Sequence, residues 1–168
     1  MLERLNPERH GEKSKNVPNS LTTFQQKAKT SLPKELIEIL TYFEGAVWFN
    51  NEVIFKPDEP SPMDDETGFQ SIDFLFGPGS GDYSLEYYYK MYSHQLQEGL
   101  VPIGSAPGGN LICIASDGSI CYWYHEGSES ECVYRIAPSF VDFLNRLEIE
   151  ENQPTGIKVI EEESWLDF

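Results

Sequence analysis

The feature that most constrains this chain is a pair of apolar runs separated by a turn. Residues 111–115 and 120–124 flank the sequence Ser116-Asp117-Gly118-Ser119. An Asp-Gly pair between two such runs is a strong signal for a β-hairpin with a two-residue turn. Both faces of the hairpin are apolar, so we predict that it lies at the centre of a sheet and is covered on both sides.

A two-residue turn also predicts a register for this hairpin. It pairs Cys113 with Tyr122 and Ile114 with Cys121, so that Cys113 and Cys121 point to opposite faces. The third cysteine, Cys132, forms no C-x-x-C motif with either of them. An odd number of separated cysteines predicts reduced, buried thiols rather than a disulfide framework or a metal site.

The rest of the pattern predicts alternating helices and strands. Leu36, Leu40 and Phe43 recur at helical spacing after Pro33, which is a residue that commonly begins helices. We predict further helices over residues 84–97 and after Pro138. Strands are predicted over residues 46–49, 52–55, 71–76 and 133–136, with Asn50-Asn51 as a turn between the first two. This order predicts an α+β domain with a mainly antiparallel sheet and flanking helices.

Composition divides the 168 residues into three parts. Residues 1–20 are polar and predict a flexible N-terminal tail, residues 21–149 the folded domain, and residues 150–168 an acidic C-terminal tail. No apolar run approaches the length of a membrane span, and the first residues lack the apolar core of a secretory signal. We therefore expect a cytoplasmic protein with no membrane partner.

Charge restricts the partners. The net charge is −16, and the first 34 residues are basic, so the remainder is more acidic still. Such a field repels nucleic acid and attracts basic proteins. The proline-rich segment 56–68 concentrates five acids and is predicted to be an exposed loop. These acids are Asp58, Glu59, Asp64, Asp65 and Glu66.

No pattern in the chain indicates an active site. The segment 104–109 is rich in glycine but lacks the Gly-Lys-Ser/Thr ending of a phosphate-binding loop, and no G-x-S-x-G motif occurs. His94 and His125 have no nucleophile placed beside them by the sequence. We predict neither cofactor nor metal. An enzyme using an Asp or Glu side chain remains an alternative.

Several ordered segments resemble the SMI1/KNR4 family, the core of the SUKH superfamily. They include Val101-Pro102-Ile103-Gly104, Gly108-Gly109-Asn110, and the strand that ends in Trp123-Tyr124-His125. The resemblance spans about residues 32–147 and implies an α+β fold with an antiparallel sheet. It carries over no catalytic residues.

This resemblance implies a protein-binding function. Bacterial members resemble immunity proteins that bind and neutralise a cognate toxin domain, often a nuclease, and fungal members resemble regulators of cell-wall synthesis that act through protein contacts. We therefore predict an immunity protein with a basic toxin as partner, and keep a regulatory interaction module as the alternative. The candidate contact residues are the five loop acids together with Asp82, Tyr87, Gly108 and Asn110.

Overall fold

The computed structural model describes residues 2–151, which form a curved sheet with helices packed against it. The strands are β1 (Pro7–His10), β2 (Ala46–Phe55), β3 (Gln70–Leu75), β4 (Val101–Ala106), β5 (Asn110–Ile114), β6 (Ile120–Trp123), β7 (Val133–Ala137) and β8 (Glu148–Ile149). The helices are α1 (Val17–Ala28), α2 (Lys34–Phe43), α3 (Leu85–Tyr92) and α4 (Phe140–Arg146). Single 3-10 turns occupy Glu3–Leu5 and Pro107–Gly109.

The strands follow one another across the sheet in chain order. The order is β1-β2-β3-β4-β5-β6-β7, with β8 pairing with β2. Every pairing between these strands is antiparallel. The predicted α+β class with a mainly antiparallel sheet is confirmed.

The central hairpin is present, but its predicted register is wrong by one residue. Cys113 pairs with Cys121, and Leu111 pairs with Trp123. Because directly paired residues in an antiparallel sheet share a face, the two cysteines lie side by side rather than on opposite faces. Burial raises the pKa of both thiols, which keeps them in the weakly reactive neutral form.

The turn itself explains the error. The Ala115 amide donates to the Ser119 carbonyl, and the Gly118 amide donates to the Ala115 carbonyl. Residues 116–118 therefore form a three-residue loop that ends in Gly118 at φ 86°, which is the second common hairpin geometry. The Asp117 carboxylate accepts hydrogen bonds from both the amide and the hydroxyl of Ser119, at 2.9 and 2.6 Å. Asp-Gly is thus the second and third residue of the loop, not the whole turn.

This register produces a continuous row of side chains across six strands. The row runs through successive pairs from β2 to β7, namely Trp48, Phe74, Ser105, Leu111, Trp123 and Val133. The Trp48 and Phe74 rings stack at 4.6 Å. The segment containing α3 packs on this face, because Tyr83 contacts Phe74 and Tyr92 contacts Trp123 edge-on. Aromatic contacts of this kind contribute about 0.5–1.5 kcal/mol each beyond area burial.

The helix α2 forms as predicted, and its core face is buried except for Phe43, which is partly buried. Leu36 and Leu40 have no exposed surface. The helix begins after Pro33 and ends at Glu44, which adopts φ 54° and donates its amide to the Leu40 carbonyl. The helix α4 also packs on the core, where Phe143 meets Phe55 of β2 at 5.4 Å between ring centroids.

Two other elements differ from their predictions. The Asn50-Asn51 pair is not a turn, because β2 runs unbroken from Ala46 to Phe55 with an irregularity in its pairing to β3 between Trp48 and Val53. Extra residues in one strand are accommodated by such a bulge without ending the strand. The third helix, α3, stops at Tyr92, although helical spacing extended the prediction to residue 97.

The N-terminal segment also differs from the predicted flexible tail over residues 1–20. Leu2 and Leu5 are buried, and β1 pairs with β2 through Glu8–Trp48 and neighbouring pairs. The polar composition of this segment did not predict the strand, because its large apolar anchors among the described residues are only Leu2 and Leu5. Most of the predicted acidic tail lies outside the described residues, which end at residue 151.

The segment that follows β2 is hydrogen-bonded to β7, at the opposite side of the sheet. The amides of Asp58 and Glu59 donate to the carbonyls of Ile136 and Arg135 at 2.9 and 3.0 Å. The Arg146 guanidinium also donates to the backbone carbonyls of Lys56 and Ile136. The acidic loop is thereby attached to the last long strand of the sheet.

The turn geometry predicts different costs of substitution for Gly118 and Gly81. Gly118 is at φ 86°, Gly81 is not in the left-handed region, and a Cβ at either position meets nothing within 4 Å. Gly118→Ala should therefore lower the free energy of unfolding by about 1–2 kcal/mol through backbone strain alone. Gly81→Ala should change it by less than about 0.5 kcal/mol. Urea unfolding of both variants checks this, and equal midpoints would contradict the left-handed conformation of Gly118.

Candidate protein-binding surface

The acidic loop is held in shape by its own carboxylates. Asp65 accepts hydrogen bonds from the amides of Thr67 and Phe69 and from the Thr67 hydroxyl, each at 2.8 Å. These bonds, that from the Phe69 amide foremost, lower the pKa of the Asp65 carboxyl. Asp65 therefore acts as an internal cap for the turn that leads into β3.

Three other loop acids also have partners within the protein. Asp64 accepts hydrogen bonds from Ser61 and from the amide of Gln70, a residue that is only 4% exposed. Asp58 forms an ion pair with Arg146 at 2.8 Å. Glu59 accepts the backbone amide of Arg135 at 2.9 Å. The loop is thus fixed at both ends and in the middle.

The fifth acid, Glu66, points away from this network. It is exposed, and no hydrogen bond or ion pair of its carboxylate occurs among residues 2–151. Its position is nevertheless set, because it lies between the two residues of the Asp65–Thr67 turn. A fixed loop presents this charge without the entropy cost of ordering a flexible one on binding.

Asn110 is not the surface contact that the sequence predicted. Its side chain is only 1% exposed. Its amide nitrogen donates to the Pro107 carbonyl at 2.8 Å, and its Oδ1 accepts the His125 amide at 3.1 Å. Asn110 therefore ties the Pro107–Gly109 turn to the end of β6, because a buried amide requires such partners.

The same amide orients the exposed imidazole of His125. The Asn110 Oδ1 lies 2.9 Å from the His125 Nδ1. Because the two backbone bonds fix which amide atom is oxygen, the Nδ1 must be the donor and carry the proton. In the neutral ring, Nε2 is then the acceptor. Gly109 lies beside the ring, where a Cβ would be 3.7 Å from the imidazole.

Met63 brings the loop and this turn together. A Cβ at Gly108 would lie 3.7 Å from the Met63 methyl group, so the predicted residue Gly108 adjoins the acidic loop. We call this region the loop–turn surface and define it by Met63, Asp64, Asp65, Glu66, Gly108 and His125. It combines a partly apolar centre with exposed carboxylates, which suits a protein contact.

Asp82 and Tyr87 belong to a second group around α3. Asp82 lines a cleft of about 630 Å³ together with the glycine-rich turn 77–81. Tyr83, Tyr87 and Met91 are each between 37% and 40% exposed and follow one another at intervals of four residues. Tyr87 is exposed as predicted, whereas Tyr88 and Tyr92 pack against the core.

Two carboxyl groups have raised pKa values, which bears on the enzyme alternative. A hydrogen bond with Glu150 raises the pKa of the exposed Glu52, and burial raises that of Asp73. Asp73 accepts a hydrogen bond from Ser105 at 3.3 Å. Neither residue lines the cleft beside Asp82 or the groove between the N-terminal 3-10 turn and α2.

Within residues 2–151, no group of three or more His, Cys, Asp or Glu side chains is placed to hold a metal ion. In the same part of the chain, no helix has the length and apolarity needed to cross a membrane.

The chain is similar to known proteins over most of its length. The model of the SMI1/KNR4 family (SUKH-1) matches residues 18–146. The chain is also similar to the SPbeta prophage-derived uncharacterized protein YokK of Bacillus subtilis (strain 168). The two are 28% identical over 161 residues, which cover 87% of this chain and 84% of that protein. The family match runs from α1 to α4 and includes both groups of candidate residues.

The sequence did not single out Met63 or His125 as contact residues. Met63 is surrounded by prolines and acids, and only the folded loop reveals that it reaches Gly108. His125 was considered for metal binding and nucleophilic chemistry, and the Asn110 contact that orients it joins residues 15 positions apart. The Gly108-Gly109-Asn110 motif preceding an apolar strand was the available signal.

The loop network predicts unequal effects for adjacent acids. Asp65→Ala should speed hydrogen exchange at the Thr67 and Phe69 amides, because it removes their acceptor, whereas Glu66→Ala should leave both rates unchanged. Because the folded-state pKa of Asp65 is lowered, its contribution is present at neutral pH and disappears only as pH falls through that lowered value. NMR exchange rates check both statements, and equal effects of the two variants would refute the capping role.

The buried amide predicts a structural role for Asn110. Asn110→Ala should lower the free energy of unfolding by about 1–3 kcal/mol, because it leaves the His125 amide and the Pro107 carbonyl without their partner. The exposed Asn145→Ala on α4 is the matched control and should cost less than about 0.5 kcal/mol. Chemical denaturation distinguishes them, and a neutral Asn110→Ala would contradict the proposed role of its hydrogen bonds in stability.

Proposed function

Because the chain belongs to the SMI1/KNR4 family (SUKH-1), we propose that it is an immunity protein that binds a cognate toxin domain and blocks it. The resemblance implies this role for bacterial members of the family. The proposed contact region is the loop–turn surface, with Asp82 and Tyr87 as a second contact. The proposed partner is a basic toxin domain, such as a nuclease. We propose that the chain acts by binding alone and performs no catalysis.

The observation that supports this proposal best is the internal bonding of the acidic loop. Four of its acids are engaged in internal bonds, and the loop is hydrogen-bonded to β7. A binding surface that is already ordered loses little entropy on association. The internal acids therefore serve to position the exposed ones, Glu66 in particular.

Electrostatics supports a basic partner. Most of the net charge of −16 belongs to the described residues, because residues 152–168 contain only four of the acids and one lysine. Complementary charge accelerates encounter and favours a basic cleft over other surfaces. The exposed ring edge of His125, with Nδ1 held by Asn110, is available to a polar side chain of the partner, next to the apolar contact of Met63.

A regulatory interaction module without a toxin is the second candidate function. The same family membership supports it, because the fungal relatives resemble regulators that act through protein contacts. The two functions differ in the partner rather than in the kind of surface. Co-expression of the chain with a toxin domain encoded beside it separates them. Protection with formation of a 1:1 complex is expected, and neither protection nor binding would favour the regulatory module.

The proposed interface predicts a charge effect on association. Glu66→Lys should slow association with the toxin domain several-fold at low salt, with the difference vanishing at high salt, since a rim charge acts mainly on the on-rate. Glu98→Lys is the matched control, because Glu98 is equally an exposed acid but lies after α3. Stopped-flow or surface plasmon resonance measurements check this. Equal slowing by both variants would move the interface away from the loop.

A further inference from the structure

An apolar groove lies between the N-terminal 3-10 turn and α2. Its volume is about 410 Å³, within the range of sites that accept small ligands or peptide side chains. Leu2 and Pro7 contribute to one wall, and Ile39 and Phe43 to the other. Leu2 and Ile39 are almost completely buried, so they form a floor that the rest of the fold holds in place.

The α2 wall is a regular helical stripe. Glu35, Glu38, Ile39 and Tyr42 occupy positions i, i+3, i+4 and i+7, which place them on one face. This stripe is distinct from the core face of Leu36 and Leu40, which has no exposed surface. This second face of α2 contributes Ile39 to the core, while Glu38 and Tyr42 remain exposed.

Tyr42 is the most exposed large hydrophobic residue of the described chain, at 81%. Its ring meets Phe43 edge-on at 5.0 Å between centroids and borders the groove. An exposed tyrosine beside an apolar floor is a common anchor of protein interfaces, because it offers a large contact area at low entropic cost.

The charged side chains that line this groove are all acidic. They are Glu3, Glu35 and Glu38. Lys34 lies 3.4 Å from Glu38, but both side chains are exposed, so the pair compensates little of the charge. The nearby Arg4 is turned away, since its guanidinium donates to the Leu144 and Leu147 carbonyls at the end of α4. The apolar floor is therefore bordered on the α2 side by a negative rim of Glu35 and Glu38.

We propose that this groove docks a basic peptide segment of another protein, with an apolar side chain on the floor beside Tyr42 and flanking Lys or Arg side chains at Glu35 and Glu38. Charge argues against the other occupants. A second copy of the chain would bring the same carboxylates to face one another. The segment 152–168 carries Glu161, Glu162 and Glu163, which the rim would repel. This docking is separate from the loop–turn surface and does not depend on the proposed toxin.

Titration of the full chain with three model peptides of about ten residues tests this proposal. The first alternates lysine with leucine around a central tryptophan, the second replaces each lysine by glutamate, and the third replaces the apolar residues by serine. NMR shift changes from the first peptide should centre on Asn6, Ile39, Tyr42 and Phe43, and the other two peptides should bind at least about tenfold more weakly.

Matched variants identify the anchor and the rim. Tyr42→Ala should weaken binding of the first peptide about tenfold or more, whereas Val141→Ala, which removes another exposed apolar side chain, should not. The pair Glu35→Gln and Glu38→Gln should weaken binding at low salt and flatten its salt dependence. Thermal unfolding verifies that each variant is folded.

The remaining outcomes would overturn the proposal. Shift changes centred on the loop–turn surface would mean that the peptide binds by charge alone. Equal binding of the glutamate peptide would exclude a basic occupant. A dimer in sedimentation experiments that Tyr42→Ala dissociates would assign the groove to a second copy of the chain. None of these results affects the test of toxin binding, which uses Glu66 and a different ligand.

Discussion

The pairing of Leu111 with Trp123 determines the arrangement of most of this molecule. It follows from the three-residue turn at 116–118, and it aligns one row of side chains from Trp48 in β2 to Val133 in β7. A shift of one residue would move Trp123 to the other face, away from Tyr92 of the segment that carries α3. The position of α3 and of its exposed tyrosine therefore depends on a short hydrogen-bonded turn at the far end of β5.

Local patterns were sufficient to predict the elements that bury a clear apolar face. The hairpin, α2 and α4 could all be predicted, because their periodicity reflects burial on one side. The register could not, because Asp-Gly occurs in both two- and three-residue turns, and the hydrogen bonds of Asp117 to Ser119 select between them. β1 escaped prediction because its residues are polar and its stability comes from pairing with β2, 36 or more positions away in the chain.

The position of the acidic loop was predictable, but its internal contacts were not. Acids and prolines indicated an exposed loop after β2, and it is there. Which acids are engaged depends on distant partners, such as Arg146 for Asp58, and no local signal reveals such a partner. Asn110 is a second example. The glycine-rich motif predicted a surface residue, but Asn110 is buried beneath His125, a residue distant in sequence.

The attachment of Asp58 and Glu59 to β7 also affects how the sheet meets other molecules. An unpaired edge strand is a template on which further strands can assemble, and its hydrogen-bonding groups must be covered or made unattractive. At one side of this sheet the chain covers the edge with its own backbone. At the other, β1 is only four residues long and begins with a proline followed by two charged residues. A highly concentrated solution of this protein should therefore resist edge-to-edge aggregation, and the acidic loop contributes to that resistance independently of any partner.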